Sequence, residues 1–422
     1  MEAIRAVKGM NDLFEHDLTT WRWLEGTVRE LFLRFGYGEI RTPHLEETRL
    51  FARGVGETTD VVEKEMYSFL DRDKKQTSLC LRPENTASVV RALIQHNKLS
   101  PDQDTKVFYM GPMFRRERPQ KGRYRQFHQL GVEAFGMSHP SIDVEMMAML
   151  NAMLTSLGLK NVRLAINTLG DPEDRTTYTE ALRAYYEGHQ DALCPDCVRR
   201  LEKNPLRILD CKVPGCVVLK PNAPVIMDYL SSDAQDHFSK VKQGLEHLGI
   251  PFSVEPRLVR GLDYYTRTVF EAIAETGLGS QNAVAAGGRY DGLVHQLGGR
   301  ATPAIGFAAG LERLIILLQE ENRRLSQHQP DLMLIGLDPS SRLECQRLAH
   351  QLRSMGLSVD IDHFERSLRA QMRRADRVNC TYVIVVGADE IHNRKVSLKK
   401  MADGESESVA LDPDAIFSLI NK

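Results

Sequence analysis

The 422-residue chain predicts an α+β protein: an antiparallel sheet flanked by helices, a mostly helical insertion, and a separate C-terminal α/β domain. Three observations carry this. The stretch MFRRERPQKGRYRQFHQLGVEAFG, Met113 to Gly136, reads as a β-hairpin: a strand ending near Glu117, a basic loop through Lys121 and Arg125, and a return strand from Phe127 to Phe135. From Asp171 to about Leu248 the strand patterns give way to a polar, helix-patterned, cysteine-bearing stretch. Beyond a polar segment from Glu320 to Pro330, which reads as a linker, strand and helix patterns alternate to the end, as in a small α/β domain with a mixed sheet. The expected division is residues 1–325, with the insertion at about 171–248, and residues 331–422.

Each element has its own local reason. Trp21, Leu24, Val28, Leu31, Phe32 and Phe35 recur at helical spacing between Thr20 and Phe35, and Gly36 is a natural stop. GYGEIRTP reads as a short strand closed by Pro43, which lacks a ladder donor. Tyr67 to Leu70 and Ser78 to Leu81 read as strands around a polar turn. A helix then starts near Thr86, its buried stripe Val89, Val90, Leu93 and Ile94. Asp143 to Leu157 is a helix whose methionines read as core, and VRLAINTLG is a strand. In the insertion, Pro172 opens a helix with Tyr178, Leu182 and Tyr185, and a later helix carries Phe238, Val241, Leu245 and Leu248. LVRGLDYYTRTVFEAI reads as a strand with Arg260 at its start. In AAGGRYDGL, Gly287 and Gly288 read either as a close backbone approach or as a plain turn. AIGFAAGLERLIILLQEENRRL is a strand running into a helix striped by Leu311, Leu314, Ile315 and Leu318.

Composition narrows the function classes. Hydrophobic residues at 42% and charged ones at 27% are ordinary for a globular protein that buries a sizeable core. A net charge of −2 provides no global positive field, so any nucleic-acid contact must come from local patches. No apolar run approaches the ~18 residues of a membrane span, and the N-terminal stretch lacks a signal peptide's apolar core, so a cytoplasmic protein without membrane association is expected. Seven cysteines, an odd number, argue for reduced thiols. Four of them, Cys194-x2-Cys197 and Cys211-x4-Cys216 separated by thirteen residues, have the number and pairing of a structural zinc site, or are four ordinary cytosolic thiols. Spacing alone does not decide, and no metal is assigned.

The candidate chemistry gathers on the hairpin. A period of two sends Phe127, Gln129, Gly131 and Glu133 to one face of the return strand and His128, Leu130, Val132 and Ala134 to the other. Arg115 and Glu117 share a face of the incoming strand, so the first face reads as a site or as a solvated sheet surface. Glu84, at a strand-to-helix junction, either projects over the end of a sheet or is a helix N-terminal carboxylate. Arg260, Tyr264, Tyr265 and Tyr290 combine a cation with aromatic hydroxyls, a mixture suited to an anionic substrate with a polar planar group. Arg313, in the first turn of its helix, opposes the macrodipole unless an anion is held nearby. There is no glycine-rich, lysine-bearing phosphate loop and no dinucleotide fingerprint, so a bound nucleotide must be gripped by arginines on the sheet. The basic loop Arg116, Arg118, Lys121, Arg123 and Arg125, with Tyr124 interleaved, suits an RNA end. In the C-terminal domain a helix carrying Arg366, Arg369, Arg373 and Arg377 reads as a solvated face or a nucleic-acid contact.

These motifs together resemble a known family. Phe114-Arg115-Arg116-Glu117 is similar to the second signature motif of class II aminoacyl-tRNA synthetases, GFAAGLER ending in Arg313 to the third, and Pro43 after GYGEIRT to the first. RGLDYYTRTVFE and AAGGRYDGL resemble the two histidine motifs of the histidyl-tRNA synthetases, and LRPE with Thr86 and KGRYRQFHQ match as well, in order along the whole chain. The resemblance implies a class II catalytic domain and a C-terminal anticodon-binding domain. It implies a histidine–tRNA ligase that makes histidyl-adenylate from histidine and ATP, then transfers histidine to the terminal ribose of its tRNA. ATP would have Arg115 on the α-phosphate, Glu117 toward the adenine amino group, Phe127 stacked on the ring and Arg313 on the γ-phosphate, with Mg2+ on the outgoing phosphates. Glu84, Thr86 and Gln129 would hold the α-ammonium of L-histidine. Glu133 and Tyr265, with Tyr264 and Tyr290 beside them, would receive the imidazole. Arg260 would bridge the histidine carboxylate and the α-phosphate, so that Arg260 and Arg115 are the catalytic cations. Gln120 and Arg125 would read the first base pair of the tRNA acceptor stem, and the protein would be a homodimer. Asn85 stands where many relatives have glycine. The alternative is a non-catalytic paralogue, the regulatory subunit of ATP phosphoribosyltransferase; such proteins tend to lose the catalytic arginines and the C-terminal domain.

Overall fold

The hairpin is two ten-residue strands, Thr105–Phe114 and Gln126–Phe135, paired antiparallel from Thr105 opposite Phe135 to Phe114 opposite Gln126. Its back is core, as the alternation requires. Leu130, Val132 and Ala134 are buried with Trp21, Leu24, Val28, Leu31 and Phe32 of the helix Glu15–Arg34. Phe32 meets Phe108 with ring centroids 5.4 Å apart, and His128 stands edge-on to Trp21 at 4.9 Å. Burying each such aliphatic side chain contributes roughly 1.5–3 kcal/mol, which holds the helix against the sheet. The helix begins at Glu15, ahead of the apolar stripe, where Glu15 and Asp17 favour its positive end. Gly36 stops it with φ +83°.

The computed structural model describes residues 3–56, 59–100, 103–279, 282–321 and 329–421, in two units, Met1–Arg324 and Leu325–Lys422. In the first unit the hairpin joins an eight-stranded sheet in the order Gly38–Glu39, Thr105–Phe114, Gln126–Phe135, Ala304–Gly310, Ala283–Arg289, Thr266–Ala274, Val162–Thr168, Ser253–Val254. The inner pairs are antiparallel, and the two short edge strands pair parallel. Tyr67–Leu70 and Ser78–Leu81 form a separate three-stranded sheet with Leu45–Glu47, and the helix Thr86–Gln95 follows. The segment after Asp171 contains the helices Pro172–Glu187, Pro195–Lys203, Pro214–Leu219 and Ser232–His247. Three of the four start on proline, whose missing N–H is no loss in a first turn. Phe238, Val241 and Leu245 of the last one pack in the same core as Met146, Met147, Met149 and Met153, so the methionine stripe is core.

Three strand boundaries differ from the expectation: GYGEIRTP is strand only at Gly38–Glu39 and has left the sheet before Pro43. The incoming strand stops at Phe114, not near Glu117: Arg115 N–H still reaches Arg125 C=O at 2.9 Å, but Arg116 N–H turns away to Glu65 C=O at 2.6 Å. Arg115 and Glu117 therefore sit on the loop and not on a strand face. Likewise LVRGLDYYTRTVFEAI is strand only from Thr266, and Arg260 lies in the loop before it. Gly287 and Gly288 are mid-strand, so the turn reading fails. A Cβ at Gly288 would lie 2.6 Å from Thr268 C=O and 2.9 Å from the Tyr265 ring, the close approach that glycine permits.

The second unit is a five-stranded sheet in the order Val359–Ile361, Leu332–Gly336, Tyr382–Val386, Lys395–Lys400, Ser406–Ala410. Its first three strands are parallel and the rest antiparallel, the mixed sheet expected. The strand Ser406–Ala410 and the short helix Ala388–Asn393 carry patterns too brief and polar to be read in advance. The arginine-rich helix is Leu368–Arg377, so Arg366 precedes it. Arg366, Arg369, Arg373 and Arg377 are exposed. Of the expected linker, Glu320 and Glu321 end the helix Leu311–Glu320, and residues 322–328 lie outside the described residues.

Candidate active site

The sheet's front face opens into a cavity of about 720 Å³. Glu84, Thr86, Arg115, Glu117, Phe127, Gln129, Glu133, Arg260, Tyr264, Tyr265, Tyr290 and Arg313 all line it. One end is built around Glu133. It projects from the return strand opposite Gly306, and a Cβ at that glycine would overlap the carboxylate. Thr86 Oγ1 donates to Glu133 Oε1 at 2.6 Å, and the Tyr290 hydroxyl donates to Oε2. Burial pushes the Glu133 carboxyl up to about 8 against the pull of these two hydroxyls. Burial also raises Tyr264, Tyr265 and Tyr290, which stay neutral donors. Their rings are mutually packed, Tyr264 lying 4.6 Å from Tyr265 and 5.5 Å from Tyr290. This end is an apolar-walled slot with an acidic group and hydroxyls at its base.

Glu84 holds both readings at once. Its carboxylate accepts the backbone N–H of Thr86 at 2.7 Å and of Ala87 at 3.0 Å, closing the first turn of the helix Thr86–Gln95, and it also lines the cavity. Burial raises its pKa although those N–H groups oppose the rise. Asn85 has φ −121°, so the position does not need glycine, and its Oδ1 accepts from Thr42 Oγ1 at 2.6 Å and Arg82 at 3.2 Å. Gln129 Oε1 and Arg260 Nε are buried with no hydrogen-bond partner among the described residues. Orphaned polar atoms at a cavity wall are what a polar ligand satisfies.

The other end is cationic. Arg115 is held by its Nε on Pro83 C=O at 2.9 Å, with its guanidinium 5.3 Å from the centre of the Phe127 ring. Glu117 lies between Arg123 at 2.9 Å and Arg115 at 3.9 Å. Arg313 is tied to Gly122 C=O at 3.3 Å and to Ala283 C=O; burial, then the neighbouring Arg123, lowers its pKa, the condition of a cation waiting for an anion. Arg260 stands between the two ends, 3.4 Å from Glu271. Burial opposes its charge, but Glu271, Tyr265, Asp210 and Tyr264 together outweigh burial and raise its pKa. Gln120 and Arg125 do not line the cavity. They lie on the loop beside it, Gln120 bridging to Arg123 and Arg125 holding Glu117 C=O at 3.3 Å.

Sequence reasoning missed several lining residues, Tyr109, Glu271 and Glu312 among them. Tyr109 faces Gly131 across the hairpin, and its ring fills the room a Cβ would take; the incoming strand's own alternation pointed to it. Glu271, partner of Arg260, and Glu312, which accepts the His128 backbone N–H at 2.9 Å, carry no local signal. Elsewhere in this unit, one Sγ from each of Cys194, Cys197, Cys211 and Cys216 lies within 4.8 Å of the others. No helix among the described residues is long and apolar enough to cross a membrane.

Residues 9–170 and 215–314 match the family model for histidyl-tRNA synthetase, and residues 331–415 the one for an anticodon-binding domain. The chain is 49% identical over 419 residues to a histidine–tRNA ligase of Trichlorobacter lovleyi, covering 99% of this chain and 98% of that one. It is 47% identical to that of Syntrophotalea carbinolica, covering 97% of each. Among solved structures, apo histidyl-tRNA synthetase of S. aureus matches with TM-score 0.83 at 38% identity, covering all of both chains.

Proposed function

The chain belongs to the histidyl-tRNA synthetase family, and on that premise we propose how its cavity performs the two steps of a histidine–tRNA ligase. Histidine lies at the Glu133 end and ATP at the arginine end. Glu133 with Tyr264, Tyr265 and Tyr290 receives the imidazole, whose two ring nitrogens need polar partners that no apolar side chain of similar shape can satisfy. Leaving buried acceptors unpaired is how such a slot rejects a wrong amino acid by ~10⁴ without editing. Glu84, Thr86 and Gln129 hold the α-ammonium. Phe127 stacks on adenine, Glu117 faces its amino group, Arg115 binds the α-phosphate and Arg313 the γ-phosphate, with guanidinium forks matching phosphate oxygens.

In the first step a histidine carboxylate oxygen attacks the α-phosphorus in line, the bond to the bridging oxygen breaks, and pyrophosphate leaves. Charge builds on the non-bridging oxygens, where Arg260 and Arg115 stabilise the transition state more than the ground state. Glu271 and Glu312, two of the carboxylates that line the cavity, would offer hard oxygen donors to Mg2+ brought with ATP, and that ion would supply positive charge beside the phosphates. In the second step the terminal ribose hydroxyl of the tRNA attacks the adenylate carbonyl and AMP leaves. Gln120 and Arg125, outside the cavity on its basic loop, read the end of the acceptor stem, and the C-terminal domain, residues 331–422, reads the anticodon. The catalytic domain spans residues 1–325 with its helical insertion at about 171–248. The working form is a cytoplasmic homodimer.

The observation that carries this reading is a single cavity holding, at one end, a buried carboxyl bonded by two hydroxyls and, along the rest, five arginines, Arg115, Arg260 and Arg313 among them. The regulatory-subunit alternative falls away, because the relatives aligned along nearly the whole chain are histidine–tRNA ligases and Arg115, Arg260 and Arg313 are all present at the cavity. Histidine-dependent ATP–pyrophosphate exchange is the test. Exchange that needs histidine supports the reading; none, or equal exchange with other amino acids, overturns it.

A further inference from the structure

We propose that Cys194, Cys197, Cys211 and Cys216 bind one structural zinc ion, and that this ion fastens the wall of the cavity that carries Arg260. The other three cysteines show what ordinary core thiols look like in this chain: Cys80, Cys345 and Cys380 lie singly in three different apolar clusters. The four sulfurs of the tetrad instead converge, each within 4.8 Å of the rest, with Cys194 Sγ and Cys211 Sγ 3.8 Å apart. A tetrahedral ion with Zn–S bonds of ~2.3 Å spaces its thiolates at about 3.8 Å. Two backbone N–H groups point at these sulfurs, Cys194 N–H at Cys216 Sγ (3.2 Å) and Val213 N–H at Cys211 Sγ (3.5 Å), the outer contacts that orient metal thiolates. Four thiolates around a dication leave a net charge of −2, and the Arg200 and Lys220 side chains lie within electrostatic reach to balance it. Three of the four cysteines fall in residues 171–214, which the family model does not match.

The consequence for the site follows from what the tetrad closes. Between Cys197 and Cys211 the chain has most of the short helix Pro195–Lys203 and the turn Pro205–Ile208. That segment holds the loop before the Thr266–Ala274 strand: Arg207 donates to Arg260 C=O at 3.2 Å, and Asn204 Nδ2 to Asp263 Oδ1 at 3.0 Å. Asp210, Cys211 and Lys212 themselves line the cavity. An ion joining both ends of the segment fixes Arg207, and through it the Arg260 backbone.

Metal analysis of the full-length protein, purified reduced and without chelator, tests the site. One zinc per chain is expected, lost in Cys211→Ser and Cys216→Ser. Co2+ exchanged into the wild-type protein is expected to give the visible absorption of tetrahedral tetrathiolate coordination. Zinc well below one per chain that added Zn2+ does not raise, four freely reactive thiols, disulfides in their place, or stoichiometric zinc surviving both substitutions would each overturn it. Chelation of the wild-type protein tests the fastening: proteolysis is expected within 194–216, with kcat for exchange falling several-fold more than KM for ATP rises. Zinc removal that leaves both unchanged overturns that role.

Discussion

Replacing Glu133 with glutamine keeps the side-chain volume and removes the titratable carboxyl, so it separates recognition from packing. The carboxylate is 1% exposed and already accepts from Thr86 and Tyr290, so an arriving imidazole N–H uses its remaining acceptor capacity. The amide offers one oxygen for those bonds and turns an NH2 toward the other partners. Leaving the buried imidazole N–H without its acceptor costs about 1–3 kcal/mol. At 1.4 kcal/mol per decade this is roughly a 5- to 140-fold fall in kcat/KM for histidine in pyrophosphate exchange, with KM for ATP little changed. The same substitution has a stability signature. Glu133 keeps its proton in the folded protein to about pH 8, whereas an unperturbed carboxyl loses it near 4.5. In that window Glu133 holds a proton in the folded state that it lacks in the unfolded one, so its contribution to stability falls as pH rises, by on the order of 4 kcal/mol across the window. Glutamine does not titrate, so the variant's melting temperature should gain on the wild type's between about pH 5 and pH 8 in ligand-free protein. A change in kcat/KM for histidine of less than about twofold, or an equal loss toward ATP, would refute the recognition role. Parallel melting curves at all pH values would refute the buried protonated carboxyl.

Arg260→Ala is expected to lower exchange by about 10²–10³-fold with far-ultraviolet dichroism unchanged, and Arg260→Lys, which keeps a charge beside Glu271, to recover part of it; near-normal exchange in the alanine variant would remove Arg260 from the chemistry. Gln120→Ala is expected to slow transfer to tRNA by about tenfold while histidine-dependent exchange stays at the wild-type rate, because Gln120 lies outside the cavity; loss of both together would place it in the wrong step. Sedimentation is expected to show a dimer across the concentrations used in the assays, and a monomer with full activity would contradict the homodimer.

Much of the site was legible in the order of residues because a β-strand's period of two is a local property. Phe127, Gln129 and Glu133 against Leu130, Val132 and Ala134 is one alternation, and it separates cavity from core as read. The helix from Thr86 and the strands Tyr67–Leu70 and Ser78–Leu81 followed from local pattern in the same way. Where the reading slipped, the cause was not local. Nothing in FRRE says that Arg116 N–H leaves the ladder for Glu65 C=O, nor does RGLDYY reveal that its residues form a loop held by Arg207.

By its own pattern, then, the sequence determined the hairpin, its two faces, the helix stripes, the C-terminal mixed sheet and, through joint motifs, the family. Only the tertiary structure decided that Glu84 both caps a helix and lines the cavity, that Glu271 partners Arg260, that Tyr109 fills the space over Gly131, and that four thiols from two distant pairs converge. The reason is that periodicity records which way a side chain points relative to its neighbours in the chain, while partnership depends on which segments, up to tens or hundreds of residues apart, the burial of apolar surface brings into contact.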